Sequence, residues 1–325
     1  MKNFIKILKE YTIIFVLLIL AIVFTAGNSV FMQPSNLITI LRQSCIMGIV
    51  AMGEMALLIV GGLNLSLGAN ISLTTVVIAI MTVKMNIPWP IAFITAILLC
   101  TVIGLLTGFI IVKTKIVPMI GTMAISTLIS GIAYLLCNGL PISGISDAAK
   151  FFYRGNIGVI PLPIIIWIII ITIFSIVFKY TYYGRHIFAT GSNDEAARLV
   201  GINITFIRVS VYTICGALCG IAGILMIGRM GSGQADTATT MDMDVLTAIV
   251  IGGVSFMGGE GKVSKAVAGV ILIAELKNGM TLCGINEYIQ MVVTGTVFLG
   301  AVCLDSFQHI IRLKKTVVVK KEEAI

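Results

Sequence analysis

The chain has 325 residues, 58% of them hydrophobic and 11% charged, and its 22 Lys and Arg against 14 Asp and Glu give a net charge of +8. Soluble domains carry about a quarter charged residues, so this composition excludes a water-soluble globule. Apolar runs recur along nearly the whole length without strand-like alternation, which excludes a membrane β-barrel and predicts an all-α polytopic membrane protein.

Ten runs approach the ~20 residues that a helix needs to cross a bilayer. They lie at about 11–26, 37–60, 67–83, 90–112, 116–137, 162–178, 206–228, 245–258, 266–282 and 288–307, the eighth being the shortest. Before the first run, Lys2, Lys6 and Lys9 resemble the basic region of a signal peptide. Phe24 interrupts the small residues that a cleavage site needs, so a retained first helix is predicted.

Glu54 lies within the second run with no basic residue beside it in sequence. An intramembrane carboxylate is a candidate pathway residue, or a side chain that reaches a polar interior contact. IVGGLNLSLG (59–68) follows that run and is echoed by VIGGVSFMGG (250–259). Gly-rich segments at matching places suggest broken helices around a pathway. Gly61, Gly62, Asn64, Ser66 and Ser72, with Gly252, Gly253 and Ser255 in the second copy, are the candidate lining residues. The alternative is close helix packing at the glycines and polar side chains satisfied by neighbouring backbone. The separation of the copies predicts an inverted internal repeat.

The longest outer loop, 138–161, is rich in turn formers. The longest inner loop, 179–205, contains GSNDEAARLVGI (191–202). Ser192 and Glu195 fit a capping box. Asp194 and Glu195 suit the positive end of a helix. Arg198 falls within ion-pairing reach of both, and Gly201 suits a left-handed helix end. A two-turn helix is not stable alone, so it must pack on something. Ala196, Leu199 and Val200 share one side, and small Ala196 and Ala197 permit close approach by a partner protein; an amphipathic turn resting on the bilayer is the alternative.

Cys215 and Cys219 stand four apart on one helical face but have no nearby His or carboxylate, so packing rather than metal binding is expected of them and of the other five cysteines. GGEGKVS (258–264) carries the Gly-Lys of a phosphate-binding loop, yet Phe256 stands where that motif needs Gly and Val263 where it needs Ser or Thr. Any ATP chemistry must then come from another chain. His186 and His309 have no nucleophile or metal-spaced cluster around them, so no catalytic site, metal or cofactor is expected. With ten spans, most of the 22 Lys and Arg fall on inner segments or in a tail at about 308–325. The positive-inside bias puts both termini in the cytoplasm and accounts for the net charge without nucleic acid.

GSNDEAARLVGINITFIRVSVYTICGALCGIAGIL resembles the coupling loop and following helix of permeases in ribose-type bacterial sugar ABC importers. GGLNLSLG (61–68), DVLTAIVIGGVSFMGGEGKV (244–263) and ELKNGMTLCGI (275–285) resemble three further segments of that family, in order, over about 40–305. Asn64 departs from the family's Asp at that place, and Glu275 and Lys277 replace a Leu-Asn pair near the outer end of the ninth helix, where an interfacial position facing the binding protein is expected.

The resemblance implies one membrane domain over 1–325 with a fold like that of cobalamin-importer permeases, in the bacterial inner membrane. It implies a homodimer or paired permease, two cytosolic ATP-binding subunits and an extracytoplasmic sugar-binding protein. Ser192, Glu195, Ala196, Ala197, Arg198 and Gly201 would belong to the ATPase-coupling helix, and a bulky charge at Ala197 would uncouple transport. A monosaccharide or small polyol is the expected substrate. Branched-chain amino acid or nucleoside permeases, and an ATP-independent secondary transporter, are the rival readings.

Overall fold

The structure is a computed structural model that describes residues 2–322, with side-chain environments for residues 13–303 and 305. The basic side chains of the amino terminus, His309 and the side chains of the carboxyl-terminal tail lie outside that description. The chain is mostly helical. The helices are α1 (Lys2–Gly27), α2 (Pro34–Ile59), α3 (Leu67–Ala79, extended by a π-helical turn Ile80–Lys84), α4 (Trp89–Thr114), α5 (Pro118–Cys137), α6 (Asp147–Arg154) and α7 (Leu162–Tyr180). They continue with α8 (Tyr182–Ser192), α9 (Asp194–Leu199), α10 (Ile204–Met230), α11 (Met241–Ile251), α12 (Val263–Leu282) and α13 (Glu287–Glu322). A proline at the first or second position starts α2, α4, α5 and α7, where its missing N–H is no loss.

A helix coincides with each of the ten apolar runs. Among the described residues, six of them, α2, α3 with its π turn, α4, α5, α7 and α10, are long and apolar enough to cross a membrane. Ile13–Gly27 and Glu287–Cys303 form shorter apolar stretches. The eighth run is cut to α11, whose 11 residues rise only ~16 Å, about half a hydrocarbon core.

Helices α2 and α10 form the buried centre. α10 packs on α4, α2 and α3, and α2 on α12, α7 and α11. Gly104 of α4 faces Gly216 of α10, Gly108 lies against Tyr212 and Gly220 against Ile97, and a Cβ on Gly216 would overlap the Cys100 carbonyl. This is close approach through small residues, the form of packing that serves helices in lipid. The outer faces of α4, α5 and α7 expose Ile94, Leu98, Leu128, Leu135, Ile168 and Ile169, an apolar surface suited to lipid.

The echoed Gly-Gly segments end two helices in the same way. Gly61 has φ +77°, and Gly62 N donates to Leu57 O at 2.7 Å. Gly253 has φ +75°, and Val254 N donates to Ile249 O at 3.1 Å. These are Schellman turns, which need a residue in the left-handed region. Both lie at one end of the bundle, since Gly259 N donates to Ile59 O at 2.9 Å. Helices α2 and α11 therefore run in the same sense, and the expected inversion of the second copy is wrong. Of the helices between them, five are long enough to cross a membrane, α3 with its π turn, α4, α5, α7 and α10. An odd number of crossings leaves the chain at the far side, from which α11 must run back along α2.

Two segments enter the bundle from opposite ends. Residues 60–66 turn back inward from the end of α2, so that α3 begins near the middle of α10, with Asn64 beside Cys215. The second segment follows α10. Its strand β4 (Ser232–Gly233) pairs with β1 (Ile142–Ser143), and the chain then descends along α3, past Thr75 at Gln234 and Ser72 at Ala238, to the start of α11. The two segments meet where Gly68 lies against the Ala238 carbonyl. The 138–161 loop folds over the end away from α9. It contains β1, the Ser146-capped α6 and a small hairpin of β2 (Asn156–Ile157) and β3 (Ile160–Pro161).

Candidate functional site

Where the two segments meet, polar groups are buried together. Glu54 of α2 is fully buried, and its Oε1 accepts from the backbone N–H of Asn64 at 2.9 Å. Asn64 Oδ1 accepts from Ser66 N at 3.0 Å and Ser66 Oγ at 2.6 Å. Asn70 Nδ2 donates to Ser66 O at 2.7 Å. Leu65 N donates to Thr122 Oγ1 of α5 at 3.1 Å, and the Tyr212 hydroxyl donates to Leu63 O at 3.0 Å. A backbone that leaves its helix inside an apolar bundle has no water to satisfy it, so these side chains take that role.

The first turn of α11 supplies the other half. Asp242 Oδ1 accepts from Gly68 N at 2.9 Å, tying α11 to α3. Asp244 pairs with Lys277 Nζ of α12 at 2.5 Å. Lys277 is thus turned toward α11, and Glu275 is 7% exposed, so Glu275 is buried against neighbouring helices rather than presented to a partner. Asp242, Asp244, Asn70 and Thr122 were not singled out from the sequence. The signal was the pair of acids in MDMDVL, entering an apolar run, where charge is costly and tends to be functional.

The nine candidate pathway residues divide into two groups. Glu54, Asn64, Ser66 and Ser72 are all buried in the interior, Ser72 accepting from Ala238 N at 3.3 Å. Gly61, Gly62, Gly252, Gly253 and Ser255 are set at the helix ends close to α9, Gly62 and Gly252 buried and Gly61 and Gly253 exposed. Cys215 and Cys219 are buried in α10, and among the described residues no cluster of three His, Cys, Asp or Glu could hold a metal.

At that same end, α8 and α9 form a sharp corner. Asn193, not Ser192, caps α9: its backbone is extended, and its Oδ1 accepts from Ala196 N at 3.0 Å. Ser192 still belongs to α8, where its Oγ donates to Phe188 O at 2.8 Å. The cap is displaced by one residue because α8 runs directly into it, and with Ala196 at the third position no capping box forms. The expected partnership of Arg198 with Asp194 is also replaced, as Asp194 Oδ2 accepts from Arg208 Nη2 of α10 at 2.7 Å. Gly201, at φ +84°, ends α9 with Ile202 N on Ala197 O and Gly201 N on Arg198 O, both 3.0 Å. Ala197 is 3% exposed and faces inward, so it is a packing residue rather than a contact surface. Leu199 and Val200 are 88% and 76% exposed, and Glu195, Ala196 and Arg198 are exposed with them. An Asn193→Ala variant should lose about 1 kcal/mol of cap stability, read as faster hydrogen exchange confined to the amides of 194–199.

A helical membrane bundle with two chain segments entering from opposite ends, a polar network where they meet and a small capped helix displayed at one end defines a transport permease. A family model described as the branched-chain amino acid transport system / permease component matches residues 36–302, and the chain belongs to that family. It is similar to the ribose import permease protein RbsC of Bacillus subtilis (strain 168), 34% identical over 291 residues that cover 89% of this chain and 90% of the relative. RbsC of Escherichia coli (strain K12) is 33% identical over 305 residues, covering 92% and 94%. The galactose/methyl galactoside import permease protein MglC of the same strain is 33% identical over 326 residues, covering 95% and 97%. No solved structure matches the chain.

Proposed function

We propose that this chain is the membrane-spanning permease subunit of an ABC importer that moves a monosaccharide, a pentose, hexose or related small polyol, into the cytoplasm. The observation that carries this reading is the similarity, along nearly the full length, to ribose and galactose import permeases. Two copies of the chain, or this chain with a second permease, join two cytosolic ATP-binding subunits and an extracytoplasmic binding protein. Nine helices traverse the inner membrane and α11 reaches about half-way across it, completed by the segment that precedes it, in a fold of the cobalamin-importer type with both termini and α9 in the cytoplasm. Helix α9 is the docking helix. Its exposed Glu195, Ala196, Arg198, Leu199 and Val200 form an apolar knob with charges at its edge, whereas a turn lying on the bilayer has no use for the ion pair that fixes it to α10. The ATP-binding subunit must hold α9 differently in inward- and outward-facing states, because a ligand without differential affinity shifts no equilibrium.

The substrate class is tested in proteoliposomes that contain the permease, its ATPase and its binding protein. ATP-dependent uptake of radiolabelled ribose or galactose, undiminished by excess leucine, is the expected result. Competition by leucine would favour the branched-chain amino acid reading. Uptake that survives removal of ATP and ATPase would identify a secondary transporter instead.

A further inference from the structure

Three chain segments touch largely through backbone beneath α9. Gly191, next to last in α8, lies against the Ile59 carbonyl at the end of α2, so closely that a Cβ there would overlap the oxygen. The same carbonyl accepts from Gly259 N at 2.9 Å, in the loop after α11. Gly258, at φ +86°, is held tightly: a Cβ would stand 3.0 Å from Gly191 O and 3.3 Å from Ile59 O. A Cβ on Gly259, at φ +72°, would stand 2.6 Å from the Ser192 Oγ and 3.0 Å from its Cα.

We propose that Gly191, Gly258 and Gly259 form a rigid junction that passes the movement of α9 to both inward-turning segments of the bundle, which makes them positioning residues for transport. The inference rests on α9 being the docking helix. A contact made largely of backbone has few rotamers to absorb displacement, so a shift of the α8–α9 corner is handed on to what it touches. Ile59 leads through the Gly61 turn to Asn64, which Glu54 holds in the interior. Gly259 belongs to the loop that continues α11, whose far end Asp242 fastens to Gly68 of α3. One push at the corner thus reaches the first segment through Ile59 and the second through α11, and the Asp194–Arg208 pair gives α9 its separate hold on α10.

The test uses the full complex in proteoliposomes and reads solute moved per ATP hydrolysed. Gly191→Ala suits its helical backbone but not its neighbour, and Gly258→Ala is a second, smaller perturbation. Both should retain the ATPase on purification and continue to hydrolyse ATP, with transport per ATP lowered about tenfold, within the range produced by residues along coupling networks. An Ala196→Glu variant, on the exposed face of α9, should release the ATPase. If it keeps the ATPase and transports normally, the docking reading of α9 fails. If it releases the ATPase while both glycine variants keep the wild-type ratio, the junction is overturned. Loss of the ATPase from both glycine variants would make the glycines folding elements and overturn it equally.

Discussion

Replacing Gly216 by leucine is expected to prevent stable assembly of the bundle. Its Cα sits within contact of Gly104, and a Cβ would fall on the Cys100 carbonyl, so the added side chain meets main chain rather than a movable group. Overpacking against side chains costs about 1–3 kcal/mol. Here α4 must separate from α10, and the cost should lie at or above the top of that range. Total stabilities are only about 5–15 kcal/mol. The check is the thermal midpoint of purified permease in detergent beside that of Gly131→Leu. Gly131 has open space around it, so that variant should melt close to wild type. Equal losses in the two variants would mean that α4 and α10 do not approach as described.

The second large effect concerns the ion pair between α11 and α12. Lys277→Met strands Asp244, whose side chain is 10% exposed, beside an apolar bundle. Removing one partner of a buried pair costs about 3–5 kcal/mol, mostly because the remaining charge is uncompensated. Lys277 is 34% exposed, so the low end, about 3 kcal/mol, is expected. Asp244→Asn added to Lys277→Met should recover most of the loss, since a neutral amide keeps the contact with Thr240 without needing a counter-charge. A double-mutant cycle on thermal midpoints measures this directly. Strict additivity of the two substitutions would show that the pair does not form in the membrane.

Class and membership were legible in the sequence because both depend on local features. Apolar run lengths placed helices where helices are found, and four ordered motifs indicated a sugar-type permease, in keeping with the relatives found along the chain. The small helix at 194–199 and its Gly201 stop were also readable, since caps and left-handed ends act over a few residues. The cap itself was misplaced by one residue, because the choice between Ser192 and Asn193 depends on how far α8 continues.

Composition and chain order by themselves determined that this is a polytopic helical membrane protein with a small helix between two long ones. Hydropathy fixes which segments leave water, whatever their neighbours. Only the tertiary structure decided which residues meet. It turned Lys277 onto Asp244 and Arg208 onto Asp194, set Ala197 inward, and gave the two Gly-Gly echoes the same direction. It also brought Gly191, Ile59 and Gly259 together, although they are far apart in the chain. Side-chain and backbone contacts of that kind depend on which faces of packed helices coincide, and no periodicity within a single run encodes this.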